Sequence, residues 1–274
     1  MSSITRSVQV VEHKPGTALY YTVSGPPRGE AVVFIHGWTC LRSDFDQLIS
    51  HLPADWRTVA IDLAEHGDSR STRTTWTMAD FADDVAAVLD AESLNEVTVV
   101  GHSMGGAVAL ELARQRPSTV THIIGLDTFH YLSLYPRVDE DGISTFMAAF
   151  NADIAGTVRG FVEMGSVPST DPDFKEKIFQ KMSSARQPAG LHVIEEILRW
   201  DMDGVLQQVH QPIDVLAVGE LLDPEAISRY GGRVNFVPVE LGSHHFLLEQ
   251  PEATATLLIE LINNTANSTS GANL

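Results

Sequence analysis

The segment that most constrains the fold is Gly101-His102-Ser103-Met104-Gly105, which directly follows the apolar run Val97-Thr98-Val99-Val100. The run is β-branched and reads as a buried strand, while residues 106–113 behind the motif have helical spacing. A serine flanked by glycines between a strand and a helix can be held on a tight, strained turn that lifts its Oγ out of the fold. Serine is a poor nucleophile at neutral pH, and such a turn brings it within reach of a histidine and an acid from distant segments. Ser103 is therefore the candidate nucleophile. The plain alternative is a strand-to-helix turn without chemistry, since glycine and serine are common at turns.

The rest of the chain supplies the frame such a turn needs. Residues 7–11 and 19–23 suit an N-terminal hairpin around Lys14-Pro15-Gly16, and residues 31–35, 58–61, 97–100, 123–126, 215–218 and 234–239 read as further strands. Helical patterns lie at 45–52, 78–89, 104–116 and 252–262, with Phe81, Val85 and Val88 on one stripe. Strands alternating with helices predict an α/β fold with a mostly parallel central sheet flanked by helices. From Thr128 to Gln211 the rhythm breaks into helical segments alone, at 144–154, 158–164, 174–182 and 191–200. Phe146, Met147, Phe150, Phe161, Met164 and Trp200 give these helices apolar faces of their own. The expected division is a core of residues 1–127 and 212–262, an inserted helical cap at 128–211, and a disordered Asn/Ser/Thr-rich tail at 263–274.

Composition narrows the partners. Lys and Arg number 18 against 36 Asp and Glu, a net charge of −18 that repels phosphate backbones and argues against nucleic acid and against highly anionic substrates. The partner that fits is a small, apolar molecule. One cysteine, Cys40, excludes an internal disulfide and reads as a buried inert thiol. The N-terminus lacks the apolar h-region of a signal peptide, and no stretch approaches the ~20 apolar residues of a membrane span, so a cytoplasmic location is expected. His36, His66, His102, His130, His244 and His245 show no metal-ligand spacing and no glycine-rich nucleotide loop appears, so neither metal nor cofactor is expected.

Three further segments carry a resemblance. Leu241-Gly242-Ser243-His244-His245-Phe246 precedes Leu247-Leu248-Glu249-Gln250-Pro251-Glu252, His36-Gly37-Trp38 follows a strand, and Asp62-Leu63-Ala64-Glu65-His66-Gly67-Asp68-Ser69 follows the next. Together with the serine turn they make residues 18–262 similar to the α/β-hydrolase superfamily, in its serine-nucleophile branch with a helical cap. The resemblance implies a catalytic histidine in the loop after the last strand, five residues before Glu249, which is His244; His245 is the alternative. It implies an oxyanion hole from the backbone N–H groups of Met104 and Trp38, with the Trp38 side chain walling the pocket. For the acid two positions remain open. Asp127 ends the apolar strand 24 residues after the serine, where some branches place their acid; Asp223, in the turn after the strand that follows the cap, is where most do. Asp127 is preferred. Ser243 and Glu65 stand where relatives have glycine, and the 62–69 loop reads as scaffold.

The resemblance leaves the reaction open between classes. The leading expectation is hydrolysis of a small or medium carboxylic ester or lactone, or of a carbon–carbon bond in a ring-cleavage product, with Ser103 as nucleophile, His244 as base and Asp127 as orienting acid. Cofactor-free quinolone dioxygenases are also similar, sharing the elbow serine, a His–Asp dyad and a Gly-Trp step like Gly37-Trp38. A slow hydrolase serving as a ligand receptor is the third expectation. Nothing in the sequence indicates the oligomeric state.

Overall fold

The computed structural model describes residues 6–135 and 137–271. Alternation along the short apolar runs decides the architecture: Val33 and Ile35 point to one face of the sheet and Val32 and Phe34 to the other, and all four are fully buried. A strand buried on both faces needs helices on both sides. The sheet has eight strands, β1 (Arg6–Glu12), β2 (Ala18–Ser24), β3 (Ala31–Ile35), β4 (Arg57–Ile61), β5 (Val97–His102), β6 (Val120–Leu126), β7 (Ile213–Val218) and β8 (Asn235–Val239), in the order β1-β2-β4-β3-β5-β6-β7-β8. β1 and β2 form the expected antiparallel hairpin, β2 pairs antiparallel with β4, and every later pairing is parallel.

Helices α1 (Asp46–Ser50), α2 (Met78–Ala91) and α3 (Met104–Gln115) connect the first strands. Helices α4 (Glu140–Ala152), α5 (Ile154–Met164), α6 (Pro172–Ser183), α7 (Ala189–Arg199) and α8 (Met202–Leu206) fill the interval between β6 and β7, and α9 (Pro224–Tyr230), α10 (Phe246–Glu249) and α11 (Pro251–Gly271) complete the chain. α2 starts at a reciprocal cap: Asp80 N–H donates to Thr77 Oγ1 (3.0 Å) and Thr77 N–H to Asp80 Oδ2 (3.1 Å). Its Phe81, Val85 and Val88 pack with α3 on one face of the sheet. On the other face Leu48 of α1 and Leu258 and Ile262 of α11 close a second core.

The α4–α8 segment has its own core, built on Ile143, Phe150, Val158, Ile178, Ile194 and Leu198. Two tryptophans tie it to the sheet layers. Trp200 donates its indole N–H to Glu111 Oε1 on α3 (2.9 Å), and Trp38 donates its own to the Gly190 carbonyl on α7 (2.9 Å). Here the structure refines the sequence expectations. The helix predicted at 144–154 starts earlier, because Asp139 caps it through Gly142 N–H, and breaks at Asp153, whose carboxylate caps α5 through Gly156 N–H. α9 is a helix that periodicity did not predict, begun by the Asp223 cap and Pro224.

The tail expected to be disordered from residue 263 is helical to Gly271, as the end of α11; residues 272–274 lie outside those described. The packed first turns of α11 meet the nucleation cost, after which Asn, Ser and Thr each lose only a few tenths of a kcal/mol. Thr265 returns its hydroxyl to the Leu261 carbonyl (3.1 Å) in this extension.

α3 begins hard against the end of β3, where a side chain at Gly105 would overlap the Ile35 carbonyl oxygen. Gly105→Ala is therefore expected to lower stability by about 1–3 kcal/mol, read as a shift in the urea unfolding midpoint.

Candidate functional site

Ser103 sits between β5 and α3 with φ 53° and ψ −122°, a left-handed conformation that costs a non-glycine residue of order 1–3 kcal/mol. Three hydrogen bonds pin it there. Its N–H donates to the Leu126 carbonyl (3.1 Å), and its own carbonyl accepts from Gly106 N–H (2.9 Å) and Thr128 Oγ1 (2.8 Å). The neighbouring strand end thus holds the turn that lifts Ser103 toward the cavity it lines.

One residue past that strand end, Asp127 also has positive φ (48°), and its side chain is fully buried. Its carboxylate gathers donors from three parts of the chain. Oδ1 receives Val218 N–H from the end of β7 (2.8 Å) and the His130 ring nitrogen Nε2 (3.0 Å). Oδ2 meets His244 Nδ1 (2.6 Å) and accepts the Tyr131 hydroxyl. Burial alone would raise the Asp127 carboxyl, but the hydrogen bonds and charge of His130 and His244 outweigh it and hold the group well below the usual carboxylate range. Burial and the adjacent Asp127 charge push the Tyr131 phenol far up, so it stays a neutral donor.

His244 is fixed from both sides along its backbone: its N–H donates to the Gly165 carbonyl (2.7 Å) and its carbonyl faces His102 Nε2 (3.0 Å). His245 points elsewhere, packing its ring on His102 (5.2 Å between centroids), and its Nδ1 is buried without a hydrogen-bond partner among the described residues. Asp223 accepts from Glu225 N–H as the cap of α9 (2.8 Å). Of the residues the sequence left as alternatives, then, Asp127 and His244 meet; Asp223 and His245 take other partners.

The His36-Gly37-Trp38 loop faces the serine turn. A Cβ on Gly37 would lie 3.0 Å from Ser103 Cβ, so a side chain there would crowd the serine turn. His36 Nε2 accepts Leu63 N–H (3.0 Å), which leaves its Nδ1–H to donate to the Gly37 carbonyl (2.7 Å). Burial pushes His36 down to about 3, keeping it neutral in that tautomer. His66 packs against it with the rings tilted by 53° at 4.9 Å between centroids, which joins the 62–69 loop to the His36-Gly37-Trp38 loop. Met104 is the first residue of α3, where a backbone N–H has no intrahelical acceptor.

Above these residues lies a cavity of about 820 Å³ including its mouth. Trp38, Met104, Leu134, Phe161, Ile194 and Ile197 make its walls largely apolar, and Ser166, Thr170 and Lys175 bring polar groups to it. Cys40 is buried and lines the same cavity. Tyr131 and the Val218 N–H escaped the sequence reading: a tyrosine five residues past a strand end carries no motif, and a backbone donor carries no residue identity. The only available signal was that a carboxylate ending an apolar strand must find partners.

A family model described as alpha/beta hydrolase fold matches residues 30–163. The solved structure of a thermophilic esterase from Thermogutta terrifontis superposes with a TM-score of 0.77 at 23% identity, covering 95% of this chain and 99% of that one. The chain has the α/β-hydrolase fold. A second solved structure, Est816, described as an N-acyl homoserine lactone degrading enzyme, gives a TM-score of 0.77 at 23% identity over 92% of this chain and 99% of its own. In sequence, a pimeloyl-[acyl-carrier protein] methyl ester esterase of Neisseria meningitidis serogroup B is 28% identical over 252 residues, 87% of this chain and 95% of the relative. Among the described residues, no helix is long and apolar enough to cross a membrane.

Burial also pushes His66 and His102 down to about 3. With His36 they are neutral in the folded chain and take up protons on unfolding below the ordinary histidine value of about 6.5. Their contribution is complete above that pH and is lost as pH falls from about 6.5 toward 3. Urea midpoints are expected to fall steadily below pH 6.5; a midpoint unchanged at pH 4.5 would contradict their neutrality.

Proposed function

We propose that this α/β-hydrolase is a serine hydrolase acting on a small or medium carboxylic ester or lactone. The observation that carries the reading is the 2.6 Å contact between His244 Nδ1 and Asp127 Oδ2, beside the cavity that Ser103 and His244 both line. Ser103 Oγ attacks the carbonyl carbon while His244 Nε2 takes its proton, and Asp127 holds Nδ1–H and stabilises the imidazolium. The backbone N–H groups of Trp38 and Met104 receive the oxyanion. His244 returns the proton to the leaving alkoxide, and water activated by the same imidazole then releases the acid from the acyl-enzyme.

Helices α4–α8 serve as the cap, and their apolar walls favour an uncharged acyl or alcohol group over a polyanion. The names of the relatives, a methyl ester esterase, an esterase and a lactone-degrading enzyme, support the ester and lactone class.

A fluorophosphonate probe is expected to add once to the wild-type chain and not to Ser103→Ala, by intact mass. Absence of an adduct on folded wild type would redirect the reading to cofactor-free oxygenation, measured as O₂ uptake with 3-hydroxy-4-quinolones. Asp127→Asn is expected to lower kcat on a cleaved ester by roughly ten-thousandfold, the scale of that loss in serine hydrolases. Asp223→Asn should leave kcat within about twofold, since its carboxylate caps α9, where asparagine serves as well, and it is not a partner of His244. The opposite ranking would move the acid to Asp223.

A further inference from the structure

Cys40, His102 and His245 come from three distant parts of the chain: the loop after β3, the serine turn, and the loop after β8. Each offers a ligand atom, and the three atoms lie within 4.8 Å of one another. The reaction described above uses none of these side chains directly, yet all three line its cavity.

Their hydrogen bonding leaves lone pairs available. His102 Nε2 faces the His244 carbonyl at 3.0 Å and must be the protonated nitrogen, so Nδ1 is unprotonated. A ligating histidine ordinarily donates its other N–H to a backbone carbonyl in this way, which fixes the tautomer. His102 Nδ1 lies toward Gly37, whose carbonyl accepts the Cys40 N–H (3.1 Å). His245 Nδ1, buried without a partner among the described residues, is a polar atom that a bound ion could satisfy.

We propose that Cys40, His102 and His245 form a binding site for a borderline-soft divalent transition-metal ion such as Zn²⁺. One thiolate and two imidazoles suit that class, and the fourth position would face the cavity. Donor atoms around tetrahedral zinc are about 3.3–3.7 Å apart, so the three side chains close by about 1 Å on binding. The Cys40 Sγ–H bond breaks as the S–metal bond forms, the proton leaves to solvent, and no oxidation state changes. Lys181, the nearby cation felt by all three residues, is paired with Asp44, which offsets its repulsion. The His102 and His244 rings are 4.8 Å apart, so the ion would sit next to the residue that the proposed function makes the base. The site itself does not rest on that function.

The test is binding to the full chain after treatment with chelator. Zn²⁺ is titrated in competition with a chromophoric chelator, and Co²⁺ reports thiolate ligation through its near-ultraviolet charge-transfer band. The expected result is one ion per chain, with the band lost in Cys40→Ser. Zn²⁺ affinity should weaken at least about 100-fold in both Cys40→Ser and His245→Gln, with folding of each verified by metal-free circular dichroism. Absence of stoichiometric binding, or wild-type affinity in either folded variant, overturns the proposal. If Cys40→Ser does not fold, His245→Gln together with the wild-type cobalt band decides it.

Discussion

The buried carboxylate of Asp127 is the point on which the arrangement depends. An ionised group with no exposed surface survives only when its oxygens are filled, and here they are met by β7, by the two residues that follow Phe129, and by the loop after β8. Those contacts set positions as well as energy. The Val218 N–H fixes the register of β7 against the end of β6, and the His244 contact draws the C-terminal loop over the sheet. Two residues in the left-handed region, Asp127 and Phe129, fold the chain back so that His130 and Tyr131 can reach the same group. Backbone strain and hydrogen bonding are therefore two sides of one local structure.

Much of this frame is legible in the sequence because it follows from short-range chemistry. The runs 31–35 and 97–100 become central strands, since only burial on both faces accommodates such continuous β-branched stretches. The glycines around Ser103 announce the turn because a side chain at Gly105 has no room. The preference for Asp127 rested on a charge ending an apolar strand, which is again a local conflict requiring resolution. Boundaries in the helical insertion were less legible. Asp153 both ends α4 and starts α5, and no apolar periodicity marks a break that a side-chain cap makes.

The convergence of Cys40, His102 and His245 was invisible for a different reason. Residues 40, 102 and 245 meet only because β3 and β5 are neighbours and the loop after β8 crosses above them. Likewise Tyr131 becomes a partner of Asp127 only through the positive φ angles that precede it. Tail helicity from residue 263 was missed because composition describes a segment's own preference and not the helix already built behind it.

The indole of Trp38 links two parts that would otherwise move separately. Its ring packs edge-on against Phe150 and Phe161 while its N–H is bound to the Gly190 carbonyl, and its own backbone belongs to the loop beside Ser103. The roof of the cavity and the loop at its floor thus share one lever. Under the proposed function, any shift of α7 either breaks that hydrogen bond or is carried into the loop beside Ser103, which ties the geometry of the serine turn to that of the helices above it.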